Sequence, residues 1–185
     1  MNLSKEQLLE TFTCELTKKN KLRVLSFVPF AIAFLWVLLL FISPLTQPPG
    51  TIYLGNDGKV SIMDNSDYIN SHVENPVARA VYLSGDFMCH QHADRSFFIN
   101  GNQMPYCARC TGIFLGLAFG ALIGTIYRTR IGFGLYLLTI VPLGIDGVLQ
   151  LLTPYESTNL IRILTGTLVG TFTSIVFASV YYDTH

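Results

Sequence analysis

The sequence predicts an all-α membrane protein: a bundle of about four transmembrane helices, with an N-terminal amphipathic helix and an extramembrane loop region in which a small β-hairpin is expected. Three observations carry that reading. Half of the 185 residues are hydrophobic and only 13% are charged, against about 25% in soluble domains, and the mean hydropathy is +0.44. Four apolar segments approach or exceed the length of about 20 residues that a spanning helix needs. The remaining polar sequence is gathered at the N-terminus and in one long stretch between the first and second segments.

Residues 1–21 read as a cytoplasmic amphipathic helix. Ser4 with Gln7 fits a capping box, and Leu8, Leu9, Phe12 and Leu16 share one face at helical spacing. Such a helix lies on a membrane surface or packs on the bundle. Cys14 on it reads as an ordinary free thiol in a reducing compartment. Residues 22–45 form the first span, too long for the apolar region of a cleavable signal and followed by no small-residue cleavage site, so it is expected to be retained.

Residues 46–105 form an extracytoplasmic loop region. S-P-L-T-Q-P-P-G breaks the first helix. T-I-Y-L and K-V-S-I-M flank G-N-D-G, which predicts a hairpin over residues 51–63. D-N-S-D-Y-I-N-S-H reads as a loop with a solvated His72, and Asn75 and Pro76 as N-cap and first residue of a helix running to Phe87. Residues 106–185 hold three more spans, Thr111–Tyr127, Ile131–Leu152 and Leu160–Tyr182. Gly112, Gly116, Gly120 and Gly124 recur every fourth residue in the second span, and Gly166 and Gly170, followed by Ser174 and Ala178, do so in the fourth. Glycine stripes let helix backbones approach closely, so these two helices are expected to pack together; the same stripes are open to use in an oligomer.

Basic residues in short flanks mark the cytoplasmic side. Lys18, Lys19, Lys21 and Arg23 precede the first span, and Arg128 and Arg130 sit between the second and third. The expected protein is therefore a multi-pass cell-membrane protein with both termini cytoplasmic. Its partner is the lipid bilayer. The net charge of zero and the lack of a basic recognition helix exclude nucleic acid as a partner.

Two groups of residues carry chemistry. Cys89, His90, His92, Cys107 and Cys110 fall within 22 residues. The C-x-x-C pair can place two thiolates on one tetrahedral metal, and Cys89 with a neighbouring histidine completes a Cys₃His set that suits zinc. The same residues also fit a Cys107–Cys110 disulfide, a redox pair, or small residues with no shared role. The second group is polar. Asp146 and Gln150 share a face of the third span, Arg162 opens the fourth, Arg109 lies between the two cysteines and Arg95 in the loop before them. Ionisable groups in spans are costly and are candidates for function. A structural Asp146–Arg162 pair is the plainer expectation. The three arginines can together hold a phosphate or carboxylate, which suits an anionic lipid or a polyprenyl phosphate.

The pattern C-H-Q-x3-R-S-F-F-x2-G-x3-P-x-C-A-R-C-T-G, then P-L-G-I-D-G-x2-Q, then E-S-T-N-x2-R-x2-T-G, resembles a family of small prokaryotic polytopic membrane proteins, domain-of-unknown-function family 2085. The resemblance covers the chain from Cys89 onward and implies that Cys89, His90, Gln91, Arg95, Cys107, Arg109, Cys110, Asp146, Gln150, Asn159 and Arg162 belong to one pattern. It prefers His90 to His92 as the fourth ligand. It implies membrane class and site membership and names no reaction. Three readings follow. The first is a metal-assisted hydrolase or transferase on a membrane lipid, with Arg95, Arg109 and Arg162 on the anionic group, and Asp146 with Gln150 nearby for proton handling. The second is a non-enzymatic small transporter or assembly factor with a structural metal. The third is a membrane thiol–disulfide oxidoreductase.

Overall fold

The computed structural model describes residues 27–127 and 131–183. The amphipathic helix expected over residues 1–21, Cys14, the start of the first span, Arg128 and Arg130 lie outside the described residues. The elements are α1 (Phe27–Leu45), α2 (Ser66–His72), α3 (Pro76–Met88), a 3₁₀ turn (Ala93–Arg95), β1 (Ser96–Ile99), β2 (Asn102–Cys107), α4 (Ala108–Ile126), α5 (Phe133–Leu152) and α6 (Asn159–Asp183). α1, α4, α5 and α6 are each long and apolar enough to cross a membrane. The chain is thus a largely helical membrane protein with one two-stranded antiparallel sheet in its loop region.

The glycine stripes explain how the bundle closes. A Cβ at Gly116 would sit 2.2 Å from the Thr167 carbonyl oxygen, and one at Gly170 2.2 Å from that of Ile113. No side chain fits there, so α4 and α6 run backbone against backbone along the glycine faces. α5 rests on α6 and leaves most of its apolar surface, including Leu138, Val148 and Leu151, exposed to the bilayer. α1 is anchored by its C-terminal half. Leu40 is buried with Val81, Met104, Tyr106 and Cys107, and Trp36 packs edge-on against the rings of Tyr106 and Phe114.

The loop region folds as a cap over one end of these helices, and here the sequence reading needs two corrections. Residues 51–63 form no strand; the hairpin is β1–β2, with Phe98 opposite Gln103 and Ile99 opposite Asn102. Its turn is Asn100-Gly101, both with positive φ (56° and 74°), as a two-residue hairpin turn of this twist demands. The segment expected to pair with itself lies instead beside β2 and is held by side-chain amides. The Thr51 and Ile52 amides donate to Asn102 Oδ1 at 2.8 and 2.9 Å, and the Leu54 amide to Gln103 Oε1 at 2.8 Å. Burial of Ile52 and Leu54 with Ile69, Val73 and Tyr82 fixes this arrangement; a 51–63 hairpin would give up that core. The second correction is that 66–72, expected as loop, is the short helix α2, where His72 stacks on Tyr68. α3 begins as expected: Asn75 Oδ1 accepts from the amides of Val77 and Ala78, with Pro76 in the first turn.

Candidate functional site

Two elements deliver the sulfur and nitrogen donors to one point. Cys89 is the C-cap of α3, and Cys107 ends β2 and is the N-cap of α4. The Cys107 amide donates to Cys89 Sγ at 3.4 Å. Cys89, His90 and Cys107 each present a ligand atom within 4.8 Å of the other two. A tetrahedral zinc, with Zn–S of about 2.3 Å and Zn–N of about 2.0 Å, sets its donors roughly 3.5–3.8 Å apart, so the group needs only a small contraction. Cys110 follows one turn into α4 and lines the same cavity. Cys89, Cys107 and Cys110 are free thiols.

Crowding of the thiols splits their acidity. Cys107 is held far below the ordinary thiol range, chiefly because the Cys110 thiol and then the Cys89 thiol donate to it. Cys89 is pushed up to about 11, first by its contact with Cys107 and then by burial. A soft metal ion binding such a group displaces the thiol protons.

The turn that carries His90 is strained and fully braced. Gln91 has φ +48° and is 1% exposed. Its Nε2 donates to the Tyr82 and Pro105 carbonyls at 3.0 and 2.9 Å, its Oε1 accepts from Asn65 Nδ2 at 3.3 Å, and its own carbonyl accepts from Gln103 Nε2. Gly85 makes room for this amide: a Cβ there would meet the Pro105 oxygen at 2.1 Å. Left-handed backbone in a non-glycine residue costs on the order of 1 kcal/mol and persists only when the surroundings impose it. Here the reward is that Cys89 and His90, adjacent in sequence, both turn toward Cys107. His90 Nδ1 accepts the His92 amide at 3.0 Å. Ligation through Nδ1 replaces that bond; ligation through Nε2 requires the ring proton to move to Nδ1 and breaks it. His92 stands outside the donor group. Its Nε2 meets the Gly58 carbonyl at 3.0 Å and ties the covering loop down.

Beside the donors runs a chain of polar groups from three spans. Arg109 on α4 forms an ion pair with Asp146 on α5. Gln150 Nε2 donates to Asp146 Oδ2 at 2.9 Å, Gln150 Oε1 accepts from Arg162 Nη2 at 3.2 Å, and Asn159 Oδ1 accepts from Arg162 Nη1 at 3.1 Å. Asn159 Nδ2 in turn donates to the Ser96 carbonyl, which pins the hairpin to α6. The direct Asp146–Arg162 pair expected from sequence is not formed. Gln150, one helical turn beyond Asp146, reaches Arg162 in its place, and the carboxylate is taken by Arg109. Asp146 therefore sits behind Arg109 rather than against the cavity.

Arg95, Arg109, Gln150 and Arg162 line one cavity of about 190 Å³ with the cysteines and His90; Val60 in the loop beyond Gly58, Met88 at the end of α3 and Ile113 of α4 complete its wall. Arg95 is shared with the exposed Asp94. Arg162 is 4% exposed, bonds only to neutral amide oxygens, and has no carboxylate within ion-pair distance among the described residues. A buried cation is costly unless it is hydrogen-bonded or paired, and here the two amide oxygens of Gln150 and Asn159 take that part. Sequence reasoning missed the work done by Gln91, His92 and Met88. Gln91 was inside the motif, but its left-handed backbone leaves no mark in a residue name. Met88 precedes the motif and had no signal at all.

Four apolar spans, a thiol–imidazole cluster at the membrane face and an arginine-lined cavity beside it define a polytopic membrane protein with a candidate metal centre. The family described as "Predicted membrane protein (DUF2085)" matches residues 89–176, a stretch that begins at Cys89 and takes in every candidate site residue. An uncharacterized protein of Methanocaldococcus jannaschii is 33% identical over 106 residues, which are 55% of this chain and 67% of that relative. One of Methanothermobacter thermautotrophicus is 39% identical over 88 residues, 45% of this chain and 78% of the relative. The chain belongs to this family. No solved structure matches it.

Proposed function

We propose that the protein binds zinc through Cys89, His90 and Cys107, with the fourth position left open beside Cys110, and acts as a metal-assisted hydrolase or transferase on an anionic membrane lipid. The observation that carries this reading is the shared cavity: the donor group and the Arg162 guanidinium, which makes no direct ion pair among the described residues, line the same 190 Å³ space. The donor set is soft thiolate and imidazole, which fits zinc. When bound, zinc supplies a Lewis acid that polarises an oxygen of the headgroup. Arg162 and Arg95 hold the anionic group, in the bidentate geometry that guanidinium offers to phosphate. Arg109, fixed by Asp146, orients it, and Gln150 keeps Asp146 and Arg162 in register.

One observation favours a second reading, a structural metal in a non-enzymatic protein. Cys110 lines the same cavity and its thiol reaches Cys107. With Cys110 as fourth ligand the site is closed, as structural zinc sites are. Elemental analysis of protein purified in detergent without chelator should find roughly one zinc per chain. Phosphatidic acid in nanodiscs should then release inorganic phosphate with the wild-type protein and not with Arg162→Gln. Zinc without turnover supports the closed structural site. No zinc, together with a Cys107–Cys110 disulfide by mass spectrometry, supports a thiol–disulfide oxidoreductase.

The orientation follows from the charge bias of the short flanks: both termini cytoplasmic, with the Cys89–Cys110 region outside. A membrane-impermeant maleimide applied to intact cells, after reduction and chelation, should label the cluster and spare Cys14. Labelling of Cys14 alone would reverse the orientation.

A further inference from the structure

The polar cavity has a neighbour. An apolar groove of about 590 Å³ lies between α1 and the α4–α6 pair, and Met88 lines both spaces. Its walls include Ile32, Ala33 and Trp36 of α1, Leu117 of α4 and Phe177 of α6. The groove exists because α1 is packed only by its C-terminal half. On the N-terminal side of Trp36, the side chains of Val28, Ile32 and Leu35 are exposed, and α1 parts from its neighbours. Val28, also on the groove, lies 17 residues before Leu45, a depth of about 25 Å at a rise of about 1.5 Å per residue. That is most of a hydrocarbon core of about 30 Å.

We propose that the cavity and the groove are two halves of one site for a long-chain lipid phosphate. The phosphate lies on Arg162 in the cavity, the chain runs down the groove between α1 and α6, and the flexible Met88 side chain forms the sill between them. The inference rests on the anion pocket argued above and adds where the chain lies and that the ligand enters sideways from the bilayer. Lipid tails are as apolar as the groove, so chain burial alone selects nothing. Selection comes from the headgroup, which pairs with the buried guanidinium, while the groove walls add dispersion contacts on three sides.

The test uses the full chain in nanodiscs and two photo-crosslinking lipids with a diazirine near the chain end, one a phosphatidic acid and one a phosphatidylcholine. Crosslinks from the phosphatidic acid should concentrate on the α1 and α6 peptides that line the groove. Those from the phosphatidylcholine should spread over the groove and the exposed face of α5 alike. Arg162→Gln should reduce the phosphatidic acid pattern to that of phosphatidylcholine. Ala33→Trp, which fills the groove, should remove the groove crosslinks yet keep the thermal stabilisation given by soluble dihexanoyl phosphatidic acid. An even spread for both lipids on the wild-type protein, with that stabilisation intact, overturns the groove and leaves the anion pocket standing. No stabilisation of the wild-type protein by dihexanoyl phosphatidic acid removes the pocket, and the groove proposal with it.

Discussion

Gly116→Leu should unfold the bundle or lower its melting temperature in detergent more than any substitution on the lipid-facing side of the same helix. The new Cβ would stand 2.2 Å from the Thr167 carbonyl oxygen and 2.7 Å from the Thr171 amide nitrogen. Both obstacles are backbone, so no rotamer change relieves them and the two helices must separate. Overpacking of a close interface costs about 1–3 kcal/mol when neighbours can yield, and more when they cannot. The consequence reaches the site. Gly112 and Gly166 belong to the same contact, where a Cβ would meet the backbones of Ile163 and Arg109, so separating α4 from α6 also moves Arg109 and Cys110 away from Arg162. Phe119→Ala, on a largely exposed side chain of α4, is the control and should cost about 1 kcal/mol or less. Thermal unfolding in the same detergent decides between them; equal tolerance at both positions would mean that the α4–α6 contact does not hold the bundle.

Cys89→Ser and Cys107→Ser should each abolish zinc retention, measured by elemental analysis after gel filtration, while His92→Ala should leave it intact. The first two remove ligand atoms from the group of three. Serine at those positions supplies a hard, protonated oxygen where a thiolate is needed. His92→Ala removes the contact with the Gly58 carbonyl, the approach to Asp94 and the edge-on packing against the His90 ring, but no donor atom of the group; the His92 amide that reaches His90 Nδ1 is backbone and survives. A loss of about 1 kcal/mol in stability is expected from the Gly58 bond alone. Cys110→Ser separates the two forms of the metal reading. Loss of zinc equal to that of Cys107→Ser indicates a closed four-ligand site, and retention with weaker affinity indicates three ligands and an open position. Zinc retained in both Cys89→Ser and Cys107→Ser would remove the cluster as a metal site.

Much of this protein is written in local sequence. The four spans follow from composition and length, the start of α3 from Asn75 and Pro76, and the α4–α6 contact from a glycine every fourth residue. Each depends on a property of the residue itself: transfer energy, a capping oxygen, or the lack of a Cβ. The hairpin was legible too. Asn100-Gly101 between F-F-I and N-Q-M is a stronger turn signal than G-N-D-G, and it lies inside the Cys/His motif. The segment 51–54 has strand character in its residue types. It lies extended, but its amides at Thr51, Ile52 and Leu54 donate to the side chains of Asn102 and Gln103, partners some fifty residues away that no local pattern reveals, and only the Ile52 carbonyl takes a backbone amide of β2.

The sequence by itself determined the membrane class, the number of candidate spans and the family motif, because hydropathy, helix length and motif are carried by neighbouring residues. Tertiary structure alone decided the pairing within that site. Asp146 was free to choose among arginines at 95, 109 and 162. The backbone approach of α4 and α6, and the reach of Gln150 across to Arg162, gave the carboxylate to Arg109. That choice leaves Arg162 buried and, among the described residues, without a direct ion pair. The brace on Gln91 is of the same kind. Its left-handed turn is held by oxygens from α3 and β2, and that turn is what brings Cys89 and His90 to one point with Cys107. Charge pairing and backbone strain are set by distances between segments far apart in the chain, and those distances come into being only when the helices pack.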